Sequence, residues 1–83
     1  MSELERRFLH DVVLRIRERA EEAALEDDDF GRGRALAFAE VLGMMQNDAV
    51  GLQMTIDDIG LDIGEPFHLI ARARERAAKA TSQ

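Results

Sequence analysis

One stretch of sequence, residues 34–52, limits most strongly what this chain can fold into. Its apolar residues recur at alternating steps of three and four: Ala35, Phe38, Leu42, Met45, Ala49 and Leu52. Such spacing places every member on one side of an α-helix that packs against other helices. Ala39, Val41 and Val50 widen this side to about half of the circumference at ~100° per residue. A single neighbouring helix would leave part of that surface uncovered.

The remaining apolar patterns predict further helices, and no segment alternates as a strand does. Four helical segments are expected, over about residues 3–26, 29–53, 56–59 and 66–79. The connection between the first two is short, so we expect them to lie antiparallel as a hairpin. Capping residues support these starts: Ser2 with Glu5 before the first helix, and Asp28 or Asp29 before the second. Phe30, next to the turn, is expected to close the end of the core.

The segment after the second helix is expected to be short and irregular. Thr55 and Asp58 resemble a second capping pair at the start of one helical turn. Leu61 and Ile63 are available to fill the open end of the bundle. Pro66 stands at the first position of the last helix, where proline is favoured. The apolar residues in the second half of that helix are all alanine, so we expect its end to fray.

Size makes association with another chain attractive for stability. The 83 residues form one domain, residues 1–83, near the lower limit for independent folding. There is no cysteine, so disulfides and thiolate metal sites are excluded. Small domains that lack such crosslinks often gain stability by oligomerising. We therefore expect a homodimer.

Charge separates the last helix from the rest of the chain. Residues 1–65 carry 7 basic and 16 acidic side chains, whereas residues 66–83 carry 4 basic and 1 acidic. The net charge of −6 disfavours binding to nucleic acid. The basic C-terminal helix keeps a nucleic-acid-associated protein open as an alternative. No segment approaches 18 uninterrupted apolar residues, so we expect no membrane contact and a cytoplasmic location.

One short motif offers a possible anion contact. Arg32 and Arg34 lie in a Gly-Arg-Gly-Arg run at the start of the second helix, where guanidinium groups and free backbone N–H groups favour anions. The run lacks the Lys-Ser/Thr ending of a phosphate-binding loop. Pairing of both arginines with the carboxylates of residues 27–29 is the alternative.

Few residues offer catalytic or metal-binding chemistry. His10 and His68 are far apart, and neither belongs to a metal-ligand pattern. Glu40 is the one acidic residue near the middle of the second helix. A pocket between helices near Glu40 and His68 would make the protein a small-ligand carrier or an enzyme, which is a further alternative for its function. We expect no enzymatic activity, no cofactor and no metal.

The run Gly33–Leu42, followed by Ile59–Asp62, resembles a pattern in small bacterial helical proteins that have no assigned activity. The resemblance implies a bacterial, cytoplasmic protein and supplies no functional residues.

Together these patterns predict an all-α protein with an antiparallel helical hairpin and a shorter C-terminal helix. Two hairpins are expected to dimerise into a four-helix bundle through the apolar series of residues 35–52. The function expected is a non-enzymatic, homodimeric protein–protein interaction or regulatory module. The alternative architecture is a monomeric three-helix bundle in which Phe67, Leu69 and Ile70 cover the second helix.

Overall fold

A computed structural model describes residues 2–81, with side chains described to Ala80. The helices are α1 (Glu3–Ala24), α2 (Asp29–Gly51), a 3₁₀ helix (Ile56–Ile59) and α3 (Pro66–Thr81). The predicted all-α class is confirmed for this part of the chain, where no strand occurs. Met1, Ser82 and Gln83, which the predicted domain includes, lie outside the described residues.

Helices α1 and α2 pack against each other across a short connection, residues 25–28, that reverses the chain direction. Their contact surface is rich in alanine and joins two clusters of buried side chains. The larger cluster contains Val13, Ala20, Leu42, Ala49, Ile59, Leu61, Ile63 and Leu69. The smaller cluster contains Ala23, Ala24, Ala35, Ala39, Ile70 and Ala73. Leu61 and Ile63 therefore fill the core as their sequence position predicts.

Side chains cap the first two helices as predicted. The Glu5 N–H donates to Ser2 Oγ at 3.1 Å, and the Ser2 hydroxyl donates in turn to the Glu5 carboxylate at 2.9 Å. The Gly31 N–H donates to Asp28 Oδ1 at 2.7 Å. The expected cap at Thr55 is wrong, because its side chain makes no capping hydrogen bond. The expected single helical turn over residues 56–59 is present as the 3₁₀ helix, in which the Asp58 N–H donates to the Thr55 carbonyl at 3.2 Å.

A left-handed residue ends α2. Gln53 has φ +60°, and the following Met54 N–H donates to the Ala49 carbonyl at 2.8 Å. This is a position where glycine is the usual residue, because a side chain strains the left-handed conformation. Helix α2 consequently ends at Gly51, two residues before the expected boundary.

Helix α3 covers one side of the hairpin and contacts both α1 and α2. Leu69 and Ile70 are buried, as the three-helix alternative required, whereas Phe67 is 47% exposed. The Phe67 and His68 N–H groups donate to the Glu65 carboxylate at 2.9 and 3.3 Å, which secures the helix start. Helix α3 continues to Thr81, two residues beyond the expected boundary.

The expected position of Phe30 is wrong. Its side chain is 73% exposed and does not close the core. The Arg34 guanidinium carbon lies 5.8 Å from the centre of its ring and 5.9 Å from that of Phe38. These distances suit a cation–π contact at the surface.

Candidate functional site

The predicted interface residues of α2 fall into two sets in a single chain. Ala35, Leu42 and Ala49 are buried inside the subunit, at 0%, 0% and 3% exposure. Phe38 and Met45 are partly buried at the edge of the core, and Leu52 is 73% exposed. Every second member of the heptad series therefore contributes to the chain's own core, and the others face outward to differing degrees.

The outward-facing set lies on the side of α2 away from α3. A Cβ atom added at Gly43 would lie 3.9 Å from Cγ of Pro66, the first residue of α3. The Gln46 side chain donates to the carbonyls of Leu61 and Gly64 at 3.1 and 2.8 Å. At ~100° per residue these two positions lie on one side of the buried Leu42. Val41 and Met45 lie on the other side, as the same rotation shows.

Helix α1 supplies the second half of this surface. Glu21 and Ala24 contact α3, whereas Leu9, Val12 and Ile16 lie on the other side of the buried line through Val13 and Ala20. All three are partly buried. We call the surface away from α3 the open face, and its central residues are Leu9, Val12, Ile16, Phe38, Val41 and Met45. Phe8, 66% exposed, and Leu52 lie at its margins.

The predicted interface does not include the α1 residues of the open face. Leu9, Val12 and Ile16 follow one another at steps of three and four, so sequence spacing alone places them on the same apolar stripe of α1 as the buried residues. Because α2 buries mainly Val13, Ala20 and their small neighbours, the edge of the stripe remains at the surface. The signal is present in the width of the stripe, which exceeds the surface that one helix covers.

The arginines offered for an anion already face carboxylates. Arg34 Nη1 lies 2.8 Å from Glu26 Oε1, and the Arg32 guanidinium lies 3.6 Å from Asp29 and 4.0 Å from Asp27. The Asp28 carboxylate occupies the N–H of Gly31 at the helix start. An anion at this place would have to displace these carboxylates.

The basic residues of α3 are similarly engaged with the body of the protein. Arg72 donates to the Ile63 carbonyl at 3.2 Å, and Arg74 donates to the Ala24 carbonyl at 3.0 Å. Arg76 pairs with Glu21 at 3.0 Å. Arg74 and Arg76 therefore hold α3 against α1, whereas Arg72 holds it against the segment that precedes it.

The residues expected to line the pocket of a small-ligand carrier or an enzyme lie at the surface of the protein. Glu40, His10 and His68 are all exposed. No polar or charged side chain among residues 2–80 is buried, and within the same residues no group of three His, Cys, Asp or Glu side chains lies close enough to hold a metal ion. None of the helices described over residues 2–81 is long and apolar enough to cross a membrane.

The fold thus defines an all-α domain in which a helical hairpin is covered on one side by a third helix. No family model matches the chain, and no curated protein or solved structure is significantly similar to it. The resemblance to small bacterial helical proteins stays a prediction. Function must therefore be argued from the open face.

Proposed function

We propose that this protein is a non-enzymatic protein–protein interaction module that works as a homodimer, with two hairpins meeting through their open faces. The observation that carries the proposal is the partial exposure of six neighbouring apolar side chains from two helices. Large contiguous apolar patches are uncommon on monomeric proteins and usually mark an interaction site. Two such faces stacked together would form a four-helix bundle, with α3 flanking it on each side.

The size of the open face suits a reversible dimer. Helices α1 and α2 are 22 and 23 residues long, which corresponds to ~33 Å at 1.5 Å per residue. Two adjacent helices are ~20 Å wide. The footprint is therefore roughly 600 Å² per copy, and a total of about 1,200 Å² is the lower end of the range for specific interfaces. We expect a dissociation constant in the micromolar range.

The amino-acid content of the open face also favours association between proteins. Its centre contains aliphatic side chains, Phe38 and the adaptable Met45, and its charged residues lie at the margins. This arrangement of an apolar centre and a polar rim is typical of protein interfaces. A cytoplasmic location is part of the proposal and rests on the sequence alone.

Sedimentation equilibrium between ~10 μM and ~1 mM tests the dimer, since this range brackets the affinity expected for such an interface. The wild-type mass should rise from 9.3 kDa towards twice that value. Val41→Glu should keep the chain monomeric, because it places a charge at the centre of the open face. Leu36→Glu is the matched control: Leu36 is 53% exposed on the opposite side of α2, so its dimer should persist.

A wild-type mass of 9.3 kDa throughout this range would refute the homodimer. Equal weakening by Val41→Glu and Leu36→Glu would refute the placement of the interface. Because Val41 is 36% exposed in the single chain, both variants should keep the helical circular dichroism of the wild type.

A further inference from the structure

Helix α1 carries two opposite charges placed symmetrically about the middle of the open face. Glu5 and Arg19 stand seven residues before and seven residues after Val12. Seven residues are nearly two full helical turns, so both charges lie near the same side of α1 as the valine. Both side chains are exposed.

Helix α2 repeats this arrangement in the opposite order. Arg34 and Asp48 stand seven residues before and after Val41. Since α2 runs antiparallel to α1, Arg34 comes to the same end of the open face as Arg19. Asp48 comes to the other end, together with Glu5. The open face therefore has a basic end near the α1–α2 connection and an acidic end at the opposite margin.

The two central valines lie at about the same height. Val12 and Val41 each directly precede one of the fully buried residues Val13 and Leu42, which belong to the same cluster. One two-fold axis perpendicular to the helices could therefore pass close to both valines.

We propose that a second copy of the chain occupies the open face turned end for end, with α1 on α1 and α2 on α2. The inference rests on the proposed homodimer and adds its orientation and register. Arg34 of one protomer then faces Asp48 of its partner, and Glu5 faces Arg19. A two-fold axis produces each of these contacts twice.

The apolar residues fit the same register. Phe38 and Met45 are placed almost symmetrically about Val41, and Leu9 and Ile16 are placed almost symmetrically about Val12. Turning one copy end for end sets an aromatic ring against an adaptable methionine and pairs the aliphatic side chains with one another. The central valines meet their own copies.

In the parallel alternative, the α1–α2 connections of the two copies lie at the same end of the dimer. This arrangement would bring like charges together. Helix α1 would then pack on α2 of the partner, with Arg19 near Arg34 and Glu5 near Asp48. Like charges across an interface disfavour a docking geometry. Within each chain Arg34 already pairs with Glu26 at 2.8 Å, and Arg19 lies 3.6 Å from Glu22. Exposed ion pairs of this kind contribute little to the free energy of association. We therefore expect these charges to decide between the two orientations, while the apolar side chains supply most of the affinity.

Reversing one charge gives opposite results for the two orientations. In the end-for-end dimer, Arg19→Glu creates two acidic contacts with Glu5 and should raise the dissociation constant about tenfold. In the parallel dimer it faces Arg34 and would lower the constant. The double variant Glu5→Arg with Arg19→Glu should restore wild-type affinity. Arg7→Glu makes the same charge change on the other side of α1 and should leave the constant within about twofold.

A distance measurement provides an independent test of the orientation. The chain has no cysteine, so Leu25→Cys introduces a single site for a spin label. Leu25 is 56% exposed at the end of α1, thirteen residues beyond Val12. Pulsed electron paramagnetic resonance should give ~40 Å between labels in the end-for-end dimer, against less than ~20 Å in the parallel one, from a rise of ~1.5 Å per residue and helix spacings of ~10 Å.

The outcomes separate the two proposals. A distance near ~40 Å with weakening by Arg19→Glu supports the end-for-end dimer. A dimer with a short distance, or one that Arg19→Glu leaves unchanged or tightens, overturns the orientation and keeps the homodimer. A wild-type chain that stays monomeric overturns both, and the open face would then belong to a different protein.

Discussion

Replacing Leu42 and Leu52 separately with alanine tests the division of the α2 series into a buried set and an exposed set. The two residues have identical side chains. Leu42 lies within α2, and Leu52 directly follows its last residue. They differ in environment, because Leu42 is fully buried and Leu52 is 73% exposed. Sequence periodicity alone treats them as equivalent.

The expected costs differ several-fold. Leu42→Ala leaves a cavity among the side chains of the larger cluster, and such changes cost about 3–5 kcal/mol of unfolding free energy. Leu52→Ala removes three carbon atoms that are about a quarter buried, so about 0.6 kcal/mol is expected at ~0.8 kcal/mol per fully buried carbon. Since a small domain has only ~5 kcal/mol of net stability, Leu42→Val, at ~1 kcal/mol, provides a milder variant that should remain folded.

Urea unfolding followed by far-ultraviolet circular dichroism measures these costs, and the absence of tryptophan and tyrosine makes fluorescence unsuitable. The loss caused by Leu42→Val or Leu42→Ala should be present in dilute samples, in which we expect the chain to be monomeric. The loss caused by Leu52→Ala should be small in dilute samples and larger near ~1 mM, the upper end of the range in which dimers are expected. Similar losses for Leu42→Ala and Leu52→Ala in dilute solution would refute the assignment of one residue to the core and the other to the surface.

Four further substitutions test three local features by the same urea assay. Gly31→Ala should destabilise the fold by about 1–3 kcal/mol, because a Cβ there would clash with the Glu26 side chain. Gly33→Ala, where a Cβ would meet nothing within 4 Å, should stabilise it by about 0.5–1 kcal/mol. Equal effects would contradict the close approach of Glu26 to Gly31. Gln53→Gly should stabilise by up to ~1 kcal/mol by relieving the left-handed conformation, and a loss would contradict that conformation. Gln46→Ala should cost about 0.5–1.5 kcal/mol, because it removes the donor to the carbonyls of Leu61 and Gly64, and an unchanged midpoint would show that water replaces it.

The helices and most of their caps could be predicted from local signals. Asp28 accepts from the helix start and Pro66 occupies the first position of α3, because capping depends on residue type and on neighbours within one turn. Thr55 shows the limit of this reasoning. The capping signature is present there and one helical turn follows as predicted, but the Thr55 side chain makes no capping hydrogen bond.

The position of the open face could be predicted only in part. Periodicity identifies which side of α2 is apolar, but it does not indicate which neighbouring element buries that side. Leu42 and Ala49 are buried within the chain, whereas Phe38 and Met45 are only partly buried. The hydrogen bonds of Gln46 with the segment that precedes α3 fix which side of α2 is covered, and no local pattern indicates a contact between residues so distant in sequence.

The small side chains between α1 and α2 explain why this chain leaves bulky residues outside. Alanines fill much of the contact between the two helices, and small residues let helix backbones approach closely. Val13 and Leu42 are buried among these alanines, whereas Leu9, Val12, Ile16, Phe38 and Met45 are only partly buried along the edge of the contact. Helix α3 covers one of the two edges. The packing of the three helices thus leaves these apolar side chains at the surface that the proposed dimer would use.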